Sequence, residues 1–150
     1  MMPIYFYSTR NKYGEFSNFA AYGIQLDDQW WATVEHYFQA QKFIDTDYKE
    51  RIRLAKTPKY AATLGRSRTM PLRTDWEQVK DEVMYQAVLR KFSTHKKLTT
   101  LLLSTGEEDI IEKTTGDYYW GCGTKGTGRN QLGVTLCQVR DVLREKVAAL

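Results

Sequence analysis

The sequence holds little of what marks most specialised protein classes. Of its 150 residues only two are cysteine and two histidine, and Cys122 and Cys137 show no CxxC spacing. That excludes a disulfide framework and any recognisable zinc set, so reduced thiols and no structural metal are expected. With three prolines and ten glycines there is no Pro-rich linker, collagen-like repeat or low-complexity stretch. The longest apolar run centres on Leu101, Leu102 and Leu103, far short of the roughly 18 to 20 residues of a membrane span. The start, MMPIYFY, has no basic region, apolar stretch or small-residue cleavage site. No membrane association and a cytoplasmic location are therefore the expectation.

What is present suits a globule. A chain of 17.5 kDa with 42% hydrophobic and 27% charged residues is long enough to bury one good core, so residues 1–150 are read as a single domain. Aromatics are abundant at 13%, and twelve of them fall within the first 43 residues. The formal charge of +4 is unevenly spread. Residues 49–73 carry Lys49, Arg51, Arg53, Lys56, Lys59, Arg66, Arg68 and Arg73 against Glu50 alone, a local +7 that leaves −3 elsewhere. Such a run is commonly a solvated face; its functional reading is a phosphate site, with Arg66 best placed to grip a phosphate bidentately.

The pattern predicts a strand over 4–7, a hairpin whose arms hold Ile24 and Trp31 about a polar tip at 27–29, and a helix from Thr33 with Lys42 in its last turn. Further helices are predicted over 47–55, from Pro58 to Gly65, from Asp75 towards Phe92 and over 96–103, the last stopped by Gly106. Ile110 and Ile111 suggest another strand. The final helix reads most clearly, with Leu132, Leu136, Val139, Leu143 and Val147 forming an apolar stripe to the chain end. The sum is a helix-rich α+β domain with a small β-sheet.

Three features bear on chemistry. Glu35, Gln39 and Lys42 recur at helical spacing beside aromatics. An exposed polar stripe is the ordinary meaning of such spacing. Buried among rings, however, a carboxylate shifts toward the protonated form and becomes a proton-transfer group, a shift that Lys42 opposes. His36 faces elsewhere and is expected to be a buried, hydrogen-bonded histidine. The second feature is WGCGTKGTGRNQLG (120–133), with five of the ten glycines. Gly121 and Gly123 begin a GxGxxG string, but only one helix follows, which excludes a dinucleotide-binding βαβ unit. An anion cradle with N–H groups turned outward and a tight surface turn both remain open. The third is Asp117, a second carboxylate: two carboxylates flanking a glycosidic bond are the minimum for hydrolysis through an oxocarbenium-like transition state.

The blocks FYSTRNKYGEFSNFAAY (6–22), WWATVEHYFQAQKF (30–43), AATLGRSRTMPLRTDWEQVKDEVMYQAVLRKF (61–92) and DYYWGCGTKGTGRNQLGVTLCQVR (117–140) together resemble the NADAR, or YbiA-like, family. Its signatures are SNF, EHYFQAQKF and WGxGxxGxGxNxLG. The resemblance implies a YbiA-like fold and an N-glycosidase that cleaves early riboflavin-pathway intermediates, the 5-phosphoribosylamino pyrimidines. Other members remove ADP-ribose from guanine in nucleic acid. The resemblance makes Glu35 the acid/base or water-activating carboxylate and Trp120 a pocket wall, and it places Asp117, Asn130, Ser17, Asn18, Gln39 and Lys42 at patterned positions. Stacking of a pyrimidine on Trp120 or Phe16 is expected, with Arg66, Lys42 and glycine-loop N–H groups on the 5′-phosphate. No cofactor is required. A small-molecule N-glycosidase, an ADP-ribosyl-nucleic-acid hydrolase and a non-catalytic ADP-ribose-binding module are the three readings carried forward.

Overall fold

A computed structural model describes residues 2–150 and places in them six α-helices, four short strands and a 3₁₀ turn over Gly14–Phe16. The α+β class holds, with the strands distributed over two two-stranded sheets. Chain contacts divide the molecule into two compact units, one of residues 1–20 with 92–150 and one of residues 21–91.

In the second unit, β2 (Ile24–Leu26) and β3 (Gln29–Trp31) pair antiparallel, Ile24 opposite Trp31. Asp27 and Asp28 between them both take positive φ, 54° and 62°, which gives a two-residue hairpin loop the twist its strands require. Three helices follow, each started by a side-chain cap. Thr33 Oγ1 accepts from the His36 N–H at 3.2 Å to open α1 (Val34–Ala40). Asp45 Oδ1 accepts from Tyr48 N–H at 2.8 Å for α2 (Thr46–Arg53), and Thr57 Oγ1 from Tyr60 N–H at 3.0 Å for α3 (Pro58–Arg66). Such caps stabilise a helix by about 1 kcal/mol each. Asp75 carbonyl accepts the first bonds of α4 (Trp76–Thr94), while its carboxylate grips Arg73 at 2.6 and 3.0 Å.

Two expectations change here. α1 ends at Ala40, so Lys42 lies beyond the last helical turn, where the Arg73 N–H bonds its carbonyl at 2.8 Å. The α3 helix continues through Gly65 to Arg66, so this glycine does not stop the helix. All seven residues of α1 are buried, because the helix packs against α2, α3 and β3 at once. His36 sits in that core as expected: its Nε2 donates to the Ala55 carbonyl at 2.9 Å, which leaves Nδ1 to accept from the Thr33 hydroxyl at 2.8 Å. Burial holds its pKa below the ordinary histidine value, outweighing the Ala55 bond.

In the first unit, β1 (Ile4–Phe6) and β4 (Ile110–Glu112) run parallel, Ile4 beside Ile110. The helices α5 (Lys96–Ser104) and α6 (Gln131–Ala148) pack on one another, and α6 also covers β4. The α6 stripe is buried at Leu132, Leu136, Val139 and Leu143, but Val147 is 48% exposed, so the stripe ends one turn early. Gly106, at φ 64°, follows the end of α5 as expected. Arg140 is buried in α6 and donates to Thr105 Oγ1 at 2.9 Å and the Glu108 carbonyl at 2.8 Å, tying that helix to the α5–β4 connection. Gly133 brings α6 against β4 so closely that a Cβ there would collide with the Ile110 carbonyl. Since backbone cannot step aside as a flexible side chain can, Gly133→Ala is expected to cost about 1 to 3 kcal/mol. Chemical denaturation checks this, and an unchanged midpoint would contradict it. No described helix is long and apolar enough to cross a membrane.

Candidate active site

The residues expected to act fall into two sets, one in each unit. Glu35, Gln39, Lys42 and Arg66 belong to the second, built on α1 and α3. Phe16, Ser17, Asn18, Asp117, Trp120, Gly121, Gly123 and Asn130 belong to the first.

The α1 set is not a solvated stripe. Glu35 is 9% and Gln39 6% exposed, and Gln39 Nε2 donates to Glu35 Oε2 at 2.7 Å across one helical turn. A buried carboxylate held by a neutral donor is constrained in direction yet keeps lone pairs for other work. Just past the helix, the Lys42 ammonium lies 5.8 Å from the Phe38 ring centroid. Burial, reinforced by Arg68, Arg66 and Lys80, pulls its pKa down to about 8, and Glu35 opposes the shift by favouring the charged form. These side chains therefore act on each other electrostatically, Glu35 beside Lys42, Arg66 and Arg68, while Lys80 is itself paired with Glu77 at 2.7 Å. Arg66 and Arg68 are exposed at the end of α3, and Arg68 Nη1 donates to the Gly65 carbonyl at 2.8 Å. Arg53 and Arg73, from the same basic segment, instead pair with Glu50 and Asp75. Within the basic segment, the cations that bear on Lys42 are thus Arg66 and Arg68 at the end of α3. Sequence spacing placed Arg68 only within the basic segment and missed Lys80, since both reach this group through tertiary folding.

The glycine loop is organised differently from the anion cradle that was one of its two readings. Gly123 donates its N–H to Thr114 Oγ1 at 3.0 Å. The α6 amides of Gln131 and Leu132 donate to the carbonyls of Tyr119 and Trp120 at 2.9 and 3.0 Å. These donors, expected on a phosphate, are engaged within the loop and helix start. The glycines answer to packing: a Cβ on Gly121 would strike Thr114, one on Gly123 (φ 71°) would strike the Tyr118 ring, and one on Gly128 the Gly121 carbonyl. Asp117 Oδ1 accepts from the amides of Tyr119 and Trp120 at 3.0 and 2.8 Å, which shapes the turn leading into the loop. The Asn130 side chain accepts from Glu112 N–H at 2.9 Å and donates to the Ile110 carbonyl at 2.8 Å, so its amide braces β4.

The aromatic motif residues also separate. Phe16, expected as a stacking surface, is 1% exposed and lies 5.8 Å from the Phe6 ring and 5.7 Å from the Phe92 ring; it is a core side chain with no free face. Trp120 keeps a half-buried indole, edge-on to Tyr119 at 4.9 Å. Ser17 is buried and its hydroxyl accepts from the Phe19 N–H at 3.1 Å, while Asn18 is half-buried beside it.

The family model for the NADAR domain matches residues 5–144. The chain belongs to the NADAR family. It is 50% identical over 140 residues to N-glycosidase YbiA of Escherichia coli K12, covering 93% of this chain and 88% of that one. An N-glycosidase of Nostoc punctiforme is 49% identical over 146 residues, covering 95% and 94%. The chloroplastic riboflavin biosynthesis protein PYRR of Zea mays is 42% identical, with 97% of this chain matching 26% of that longer protein. The solution structure of E. coli YbiA superposes with a TM-score of 0.91 at 47% identity, covering 99% of this chain and 90% of YbiA. At this identity, over nearly its whole length, the NADAR chain is an enzyme of the N-glycosidase class.

Proposed function

We propose that this NADAR enzyme hydrolyses the ribosyl N-glycosidic bond of early riboflavin-pathway intermediates, the 5-phosphoribosylamino pyrimidines, and that Glu35 is the catalytic carboxylate. The observation that carries the reading is the buried Glu35, oriented by Gln39 and set beside the Lys42, Arg66 and Arg68 cations. As the C1′–N bond breaks, its electron pair leaves with the nitrogen and positive charge grows on the ribose. A fixed carboxylate in a site of low dielectric stabilises that charge. Water attacks C1′ and gives up a proton to Glu35, and the same proton is then passed to the departing nitrogen, which returns Glu35 to its ionised form. Lys42 with Arg66 and Arg68 holds the 5′-phosphate, the arginines as bidentate donors. The riboflavin context is supported by the 42% identity to the maize protein.

The test is incubation of the purified protein with the ribosylamino-pyrimidine phosphate and, separately, with DNA carrying ADP-ribosylated guanine. Release of ribose 5-phosphate from the first alone supports the reading. Release of ADP-ribose from the second alone replaces it, and binding without release of either product makes the protein a binding module.

A pH dependence follows from Lys42. Its ammonium is lost as pH rises through about 8, so kcat/KM for the phosphorylated substrate should fall above that pH, because this quantity reports the free enzyme. Lys42→Arg, which cannot titrate there, is expected to flatten the alkaline limb. The same shift acts on stability with the opposite sign. Between about 8 and the ordinary lysine value the unfolded chain binds the extra proton, so stability rises with pH across that window.

A further inference from the structure

We propose that Gly65 and Gln39 form a positioning pair that aims Glu35, with Gly65 providing the space in which the Gln39 side chain is seated. The proposal rests on the reading of Glu35 as the catalytic carboxylate. Gly65 is the penultimate residue of α3, still within its helical backbone. Its φ is not positive, unlike those of Gly106, Gly123 and Gly126, so no turn requires it. What requires it is space. A Cβ at this position would collide with Oε1, Cδ and Cβ of Gln39. The seat is braced on both sides, since Tyr48 Oη donates to the Leu64 carbonyl at 2.5 Å and Arg68 Nη1 to the Gly65 carbonyl at 2.8 Å.

The Gln39 amide has a defined direction. Because an ionised carboxylate only accepts, Nε2 must face Glu35, as the 2.7 Å bond requires. Oε1 is thereby turned onto Gly65, where it is buried with no hydrogen-bond partner. Native proteins rarely keep such an acceptor, and those that do tend to hold it for function. Flipping the amide would set two oxygens against each other while Glu35 is ionised. The seat therefore enforces one amide orientation and one carboxylate orientation together, and the donated bond favours the ionised form that the reaction needs. The charged groups that bear on this site are Lys42 and, around it, Arg66, Arg68 and Lys80, the last paired with Glu77 at 2.7 Å, and Arg68 also holds the Gly65 carbonyl.

The experiment compares Gly65→Ala, Gln39→Met, Gln39→Ala and the Gly65→Ala/Gln39→Ala double variant, with folding checked by circular dichroism. Gln39→Met fills the same space without a donor, so it removes the bond while keeping the packing. Both Gly65→Ala and Gln39→Met are expected to lower kcat roughly tenfold, the loss of about one charge-assisted hydrogen bond. KM should stay within about twofold, and the acidic limb of kcat should move to higher pH, because the lost bond favoured the ionised carboxylate. In the Gln39→Ala background Gly65→Ala should add nothing, since no side chain remains to displace. Wild-type kcat and pH limb in Gln39→Met, or fully additive losses in the double variant, would overturn the proposal. Should Gly65→Ala fail to fold, Gln39→Met carries the test by itself. Glu35→Gln is measured alongside: if it is inactive while Gln39→Met is normal, the positioning idea alone falls, whereas an active Glu35→Gln removes the reading beneath it.

Discussion

Glu35→Gln is expected to lower kcat by about a thousandfold or more while leaving KM within a few-fold of wild type. The magnitude follows from what is removed. A positioned acid–base group contributes roughly 10² to 10⁴ in rate, and electrostatic stabilisation of developing charge adds about 3 to 4 kcal/mol. Glutamine keeps the volume and an oxygen able to accept from Gln39 Nε2, whose bond to Glu35 is 2.7 Å long. The fold of α1 and the substrate contacts should therefore survive, and only the negative charge and its proton affinity disappear. Steady-state kinetics with the ribosylamino-pyrimidine phosphate, beside a denaturation curve, separates this from mere instability. A fall in kcat with a matching loss of stability would point to a structural role instead.

The second large effect concerns the phosphate. Lys42→Ala is expected to raise KM by about 10- to 150-fold for the phosphorylated substrate, the range given by one charge-assisted contact of about 1.5 to 3 kcal/mol. The dephosphorylated ribosylamine should bind the variant and the wild type alike. Lys42 suits this task because its backbone is anchored by the Arg73 N–H at 2.8 Å. Its ammonium is also partly desolvated beside Phe38, which strengthens its attraction for an anion. Stability should change in the other direction, since the variant no longer buries a charge among the cations Arg66, Arg68 and Lys80. A weaker grip on phosphate in a more stable protein is a combination that simple loss of packing does not produce. Equal losses on both substrates would assign Lys42 to something other than phosphate.

Much of this architecture was readable in the sequence where local chemistry decides it. Thr33 and Pro58 mark helix starts because caps and N1 prolines act within one turn, and the Leu132 to Leu143 stripe marks α6 because only one face of that helix is covered. The candidate site was readable in part. Glu35, Gln39 and Lys42 stand at helical spacing, but their burial depends on α1 being enclosed by α2, α3 and β3, which no local pattern encodes. The glycines show least of their role in the local sequence. Gly65 looks like a helix stop, and its close approach to Gln39 emerges only when α3 meets α1. The glycines after Trp120 look like an anion cradle, yet the Gly123 N–H turns inward to Thr114, a residue whose part in the loop carries no sequence signal. Phe16 shows the same limit: a ring inside a motif reads as a ligand contact until the Phe6 and Phe92 rings are seen around it.

The most direct measurement is a single-turnover assay with enzyme in excess over the ribosylamino-pyrimidine phosphate, following release of the pyrimidine by rapid quench. The wild-type protein should release the base and ribose 5-phosphate together, and Glu35→Gln should bind the substrate and return it intact over the same interval. Release by Glu35→Gln at the wild-type rate would contradict the assignment of the catalytic carboxylate, and intact substrate recovered from the wild-type protein would contradict the proposed reaction itself.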